Sequence, residues 1–234
     1  MAKPKHQLTS DQLDAIRRLG TCAVANALEA FNVRLRNEGY TWPGLKCVTG
    51  NLPPILGYAA TCRVKSSDPP PIGLSYYDRT DWWDAIVLLP TPRVAVLQDI
   101  DLTPGHGASV GEVHAAILRA LGCEGVVTNG SVRDIPAAAA MKFPMFASGV
   151  SASHSYIHMV DFGGLVQICG LAIRTGDLLY ADCHGVLSIP LELAADIPQA
   201  AEKIARERKS IIDLCRSPEF SLDKLRKQVQ EIHS

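Results

Sequence analysis

The sequence predicts a mixed α/β domain with a strand-rich second half, and three observations predict it. Between residues 93 and 142, apolar runs alternate with segments of helical periodicity. From 164 to 190, short apolar runs are broken by Gly and Asp in the manner of successive hairpins. Periodic segments near both ends have the pattern of covering helices. With 234 residues, 47% of them hydrophobic, the chain can bury one large core. Residues 1–234 read as a single domain, with an N-terminal helix at about 10–31 and a C-terminal helical extension at about 191–234.

Along the chain, Thr9 and Gln12 have capping-box spacing, and Leu13, Ile16, Leu19, Val24, Leu28 and Phe31 recur at helical intervals. Gly20 bends or divides that helix. From Asn32 to Pro54 the chain is rich in Gly, Pro and Asn without periodicity and reads as a long connection. "YAATCRVKSS" reads as a strand, ended by the prolines at 69–71. "RVAVLQDID" (93–101) is a buried strand, "SVGEVHAAILRALG" (109–122) a helix, "GVVTNG" (125–130) a strand and "IPAAAAMK" (135–142) a short helix. After the hairpins of 164–190, a charged helix runs over roughly 191–215.

Composition excludes several classes. With 23 basic and 24 acidic side chains there is no electrostatic footprint for nucleic acid. Seven scattered cysteines, never C-x-x-C, argue against a disulfide framework and a zinc knuckle and fit a reducing compartment. The start "MAKPKHQLTSDQ" lacks the apolar core of a secretory signal, and no stretch is apolar enough to span a bilayer, so a cytoplasmic protein is expected.

Two stretches carry the chemistry. "GHGASVGEVHAA" places Gly105, Gly107 and Gly111 around a helix start, where unpaired N–H groups and the helix dipole favour an anion. The spacing is neither the dinucleotide fingerprint nor a P-loop. Ser109 and Glu112 also have capping-box spacing, which would give Glu112 to the helix end. The strand after this helix delivers Arg133 and Asp134 to the same end of the sheet if the crossover is short and right-handed. Asp134 can cap the helix at Ile135; alternatively Arg133 forks onto a carboxylate while Asp134 ligates a hard divalent cation.

Taken together, Gly111, Glu112, Arg133 and Asp134, with "GVVTNGSVRD" and "GDLLYADCHGVLSIP", resemble the RraA-like family, and the likeness runs from "CAVANALEAF" to the C-terminal helix. That family includes class II 4-hydroxy-4-methyl-2-oxoglutarate aldolases, oxaloacetate decarboxylases and non-catalytic regulators of ribonuclease E. The resemblance implies a swivelling β/β/α-type fold, a central mixed β-sheet or sandwich flanked by helices. It implies a homotrimer or hexamer with sites near subunit interfaces, and Mg²⁺ or Mn²⁺ as cofactor. Asp134 would hold the metal, Arg133 would bind substrate, Glu112 would act in proton transfer, and the amides of Ser109, Val110 and Gly111 would cradle a carboxylate. The chemistry implied is cleavage of a pyruvyl-containing α-keto acid through a metal-stabilised enolate, by retro-aldol reaction or decarboxylation.

Departures are local. Asn26 stands where an Asp is common, Ala137 where an acid is frequent, and "ADCHGV" replaces A-D-D-D-G-V, retaining Asp182 and Gly185 but introducing Cys183 and His184. Glu202 or Glu207 would match a glutamate that reaches the site from a neighbouring subunit.

Competing features weigh less. A Schiff-base aldolase lacks its amine, since no lysine lies between Lys65 and Lys142 or between Lys142 and Lys203. Cys183 beside His184 sits in a hairpin turn, a poor place for a desolvated thiolate. His154 and His158 could hold a transition metal if helical, but polar packing or an interface role suits them better; Trp82 and Trp83 read as core and interface. The second functional class is a regulatory protein without chemistry.

Overall fold

In a computed structural model of the chain, residues 7–71 and 79–233 are described; the first six residues, whose sequence was read against a secretory leader, and Ser234 at the end of the helical extension lie outside them. The N-terminal helix is two helices, α1 (Ser10–Arg17) and α2 (Thr21–Phe31). Thr9 and Gln12 form the reciprocal capping box, and Gly20 divides the pair at φ +84°. The connection to residue 54 contains only β1 (Lys46–Cys47), after which β2 (Ile55–Lys65) crosses the domain.

Next come α3 (Asp81–Val87), β3 (Arg93–Asp99), β4 (Ala108–Val110), α4 (Glu112–Ala120), β5 (Cys123–Val132), α5 (Ile135–Ala140), β6 (Met145–Val150) and β7 (His158–Phe162). Two hairpins follow, β8 (Val166–Ile168) with β9 (Leu171–Ile173) and β10 (Leu178–Asp182) with β11 (Gly185–Ile189), then α6 (Ile197–Arg216) and α7 (Leu222–His233). No helix among the described residues is long and apolar enough to cross a membrane.

Nine strands form one mixed sheet in which β1-β6-β5-β3-β2-β10-β11 are neighbours, with β4 on β5 and β7 on β2. Strands β2, β3, β5 and β6 run parallel, and β3 and β5 among them are the strands of the alternating pattern of 93–142. Strand alternation sorts the core. Ala95 and Leu97 of β3 and Val126 of β5 face α3, α4 and α5, while Val94, Val96 and Val127 face the β8–β9 hairpin on the other side. Leu56, Tyr58, Leu178 and Tyr180 carry the helix-side core on to α1, α2 and α6. The layers are therefore a small hairpin, the main sheet and the helices: a mixed α/β fold of β/β/α type.

Several elements depart from the sequence expectation. Residues 108–110 are strand rather than helix start, because Ala108, Ser109 and Val110 are buried and Ala108 and Val110 pair with β5. β6, β7 and α3 were not anticipated. His154 lies before β7 and His158 opens it as a buried residue bonded through Nδ1 to the Tyr156 carbonyl at 2.8 Å, so the pair never shares a helical face. Trp82 is fully buried against the helix-side core, as read.

Candidate functional site

The parallel strands deliver their carboxyl ends to one edge of the sheet, where open α/β folds leave crevices. Arg133 follows β5 directly and is tied to β4 by its N–H, which donates to the Val110 carbonyl at 2.9 Å. Gly111 and Glu112 follow β4. Pairing of β4 with β5 thus brings Gly111, Glu112, Arg133 and Asp134, separated by twenty-odd residues, into one crevice of about 350 Å³.

Asp134 organises this corner. It adopts left-handed backbone angles (φ 55°, ψ 38°), tolerated better by Asp than by most residues, and makes no side-chain cap to α5. Its carboxylate points back across the crevice instead. Oδ2 accepts the Glu112 N–H at 3.0 Å and lies 3.5 Å from Arg133 Nε. The anion at the start of α4 is therefore the protein's own carboxylate, placed where the helix dipole favours it. Both contacts use Oδ2, which leaves Oδ1 as the oxygen able to meet an ion.

Two expectations are corrected here. Ser109 and Glu112 form no capping box: the N-cap of α4 is Gly111, without a side-chain cap, and the buried Ser109 hydroxyl donates to the Ser131 carbonyl at 3.1 Å. Nor do Gly105 and Gly107 present open amides to a ligand. Gly105 turns the loop at φ +91° and donates to Asp99 Oδ2 at 2.7 Å, while Gly107 donates to Ser66 Oγ at 3.0 Å. Ser109 and Val110 are buried behind the crevice wall, which Gly111, itself buried, lines.

Gly111 is required by space. A Cβ there would collide with Asp134 Oδ2 and come within 3.1 Å of Arg133 Cγ and Nε. The walls are held by buried carboxylates. Asp101 accepts from the Ser66 N–H (2.8 Å), the Ser66 hydroxyl (2.9 Å), the Ser67 N–H (3.0 Å) and the Ser67 hydroxyl (2.7 Å). Burial acts against its charge, yet these bonds outweigh it and hold the carboxyl below the usual range. Asp99 differs: burial dominates and pushes its carboxyl up.

The opposite rim comes from residues that the sequence reading did not assign to the site. His114, one helical half-turn beyond Glu112, and His154, Tyr156 and Ile157 from the loop before β7 line the crevice with Pro70. Burial lowers the His114 imidazole to about 4, with the charges of His154 and Arg133 acting the same way. The signal for His114 was its position two residues after Glu112; His154 reaches the rim only because β7 pairs with β2.

A family model described as "RraA-like: Aldolase/RraA" matches residues 21–188. An uncharacterised protein of Methanocaldococcus jannaschii is 32% identical over 38% of this chain, a match spanning only 44% of that protein's length. A Halalkalibacterium halodurans protein provisionally named 4-hydroxy-4-methyl-2-oxoglutarate aldolase is 25% identical over 84% of this chain and 85% of its own. Among solved structures, an uncharacterised Pseudomonas syringae protein has a TM-score of 0.74 at 21% identity, covering 97% of this chain and 98% of its own. A Streptomyces coelicolor member of the RNase ES inhibitor RraA family has a TM-score of 0.68 at 18% identity, covering 88% and 98%. At these identities the structural likeness is one of fold.

Proposed function

Since this chain belongs to the RraA-like family, we propose that it is a divalent-metal-dependent carbon–carbon lyase acting on a pyruvyl-containing α-keto acid. The observation that carries the reading is the meeting of a guanidinium and two carboxylates, Arg133, Asp134 and Glu112, in one crevice at the strand ends. The aldolase name of the Halalkalibacterium relative supports the same reaction class.

The residues suit Mg²⁺ or Mn²⁺. Such ions take one or two carboxylates and complete their shell with water and substrate oxygens, so Asp134, with Glu112 nearby, is a sufficient protein contribution. A bound ion supplies electron withdrawal from the keto group, which lowers the barrier to breaking the bond between C3 and C4. Arg133 holds the substrate carboxylate in its planar fork, against the wall opened by Gly111 in front of Ser109 and Val110. Glu112 accepts the proton of a C4 hydroxyl as that bond breaks, and a proton delivered to C3 completes pyruvate. Where C4 is a carboxylate, carbon dioxide leaves and no base is needed.

We further infer a homotrimer or hexamer. Val113 and Tyr156 line the crevice yet are exposed in the single chain, and Val150 is exposed at the end of β6. Glu202 and Glu207 lie on α6, away from this chain's crevice, so either would serve only a neighbouring copy.

The test is pyruvate release, coupled to a dehydrogenase, from 4-hydroxy-4-methyl-2-oxoglutarate and from oxaloacetate with Mg²⁺ or Mn²⁺. Metal-dependent turnover of at least one is expected. No turnover of either by folded protein would sink the proposal and leave a regulatory binding role.

A further inference from the structure

The turn between β10 and β11 lies at the opposite edge of the sheet from the Asp134 crevice. Ala181 pairs with Ile55 at the start of β2, whereas Val64 near its end pairs with Asp99 beside that crevice. At this turn three different metal-binding side chains follow one another. Their donor atoms, a carboxylate oxygen of Asp182, the thiol of Cys183 and an imidazole nitrogen of His184, all lie within 4.8 Å of one another.

We propose that Asp182, Cys183 and His184 form a second metal site, for a borderline transition ion of the Zn²⁺ type, independent of the hard-ion site proposed at Asp134. The distances fit such an ion. His184 Nδ1 is 3.0 Å from Asp182 Oδ1 and 3.4 Å from Cys183 Sγ. Tetrahedral bonds of zinc to oxygen, nitrogen and sulfur span edges of roughly 3.3–3.6 Å, so small adjustments bring all three donors onto one centre. A thiolate, an imidazole and a carboxylate together select zinc-like ions over Mg²⁺.

The same geometry argues against a nucleophilic cysteine. In a Cys-His-Asp relay the imidazole uses one nitrogen for the thiol and the other for the carboxylate. Here both neighbours meet the same nitrogen, Nδ1. No relay is formed, and three donor atoms are instead crowded side by side at one turn.

Asp182 is already oriented. Its carboxylate accepts the Thr21 N–H at 2.9 Å, the Thr21 hydroxyl at 2.6 Å and the His184 N–H at 2.9 Å. Such outer bonds fix a ligand before the ion arrives. Cys183 and His184 are exposed, and Asp182 and Cys183 border a second crevice, of about 640 Å³, from which water can supply a fourth ligand. Binding replaces the thiol proton, which leaves to solvent; no oxidant or reductant takes part.

Co²⁺ titration of the reduced 234-residue protein tests the site. The expected result is a near-ultraviolet sulfur-to-cobalt charge-transfer band that saturates at one equivalent, is abolished by excess Zn²⁺ and is retained in Asp134→Asn. Cys183→Ser and His184→Ala should remove the band while circular dichroism stays unchanged, and Thr21→Val should weaken binding by about tenfold or more. A band that survives Cys183→Ser, the absence of any band in folded wild-type protein, or loss of the band in Asp134→Asn would each overturn the proposal. Because the readout is spectroscopic, it is decided separately from lyase activity.

Discussion

At Gly111 the backbone is extended (φ −127°, ψ −164°), so any residue could adopt it; what excludes a side chain is the pair Arg133–Asp134 pressed against it. Gly111→Ala should therefore push that pair apart, costing about 1–3 kcal/mol of stability and most of the pyruvate-forming activity, read by thermal melting beside the coupled assay. Asp134→Asn keeps a residue suited to left-handed angles and an oxygen for the Glu112 N–H but removes the charge. Its melting temperature should stay near wild type while metal-dependent turnover falls by at least the ~10–100-fold seen when a metal's supporting groups are lost. Loss of the fold instead would show that the carboxylate's role is capping. His114 sets a pH dependence. Its imidazole titrates at about 4 in the folded chain against an ordinary 6.5, so the unfolded chain binds the proton first and stability falls as pH drops from 6.5 towards 4. The loss amounts to about 3 kcal/mol at most. His114→Gln should flatten that part of a stability-versus-pH curve, and an unchanged slope would refute the assignment.

Among the elements, α1 shows local information sufficing. Its capping box was legible from Thr9 and Gln12 because both partners lie within one turn, and Thr9→Ala should cost about 1 kcal/mol in chemical denaturation. The identical spacing at Ser109 and Glu112 misleads, since pairing of β4 with β5 claims Ser109 and a carboxylate from residue 134 reaches Glu112. Helix α4 was readable from its periodicity, but its first turn was set by a strand distant in sequence. β6 was hidden for a related reason: "MFASGV" is short and carries the turn-like pair Ser148–Gly149, and its strand character comes from lying between β5 and β1. Among its described side chains helix α7 has none that is buried, and it packs on α6. Removing residues 217–234 should therefore leave the melting temperature of the domain almost unchanged; a large drop would show that α7 belongs to the core.

For the molecule as a whole, apolar Val113, Val150 and Tyr156 are left facing solvent by the single chain, and the inferred trimer or hexamer gives them partners. Sedimentation should report a mass of three or six chains, and Val113→Asp should shift it towards the monomer; a monomeric wild-type protein would remove the basis for completing the site from a neighbour. The mixed α/β class was readable from the periodicities of strands and helices, and the family, with the layer order its resemblance implies, from the motif around Arg133 and Asp134, because all of these are local patterns. The use of each group was not. Whether Gly105 offers its amide to a ligand or to Asp99, whether Asp134 caps the helix after it or the one 22 residues before it, and whether Cys183 and His184 form a relay or converge on one point depend on directions set by packing. Spacing along a chain constrains which side chains can share an edge of the sheet; only the folded sheet fixes which atoms face one another there.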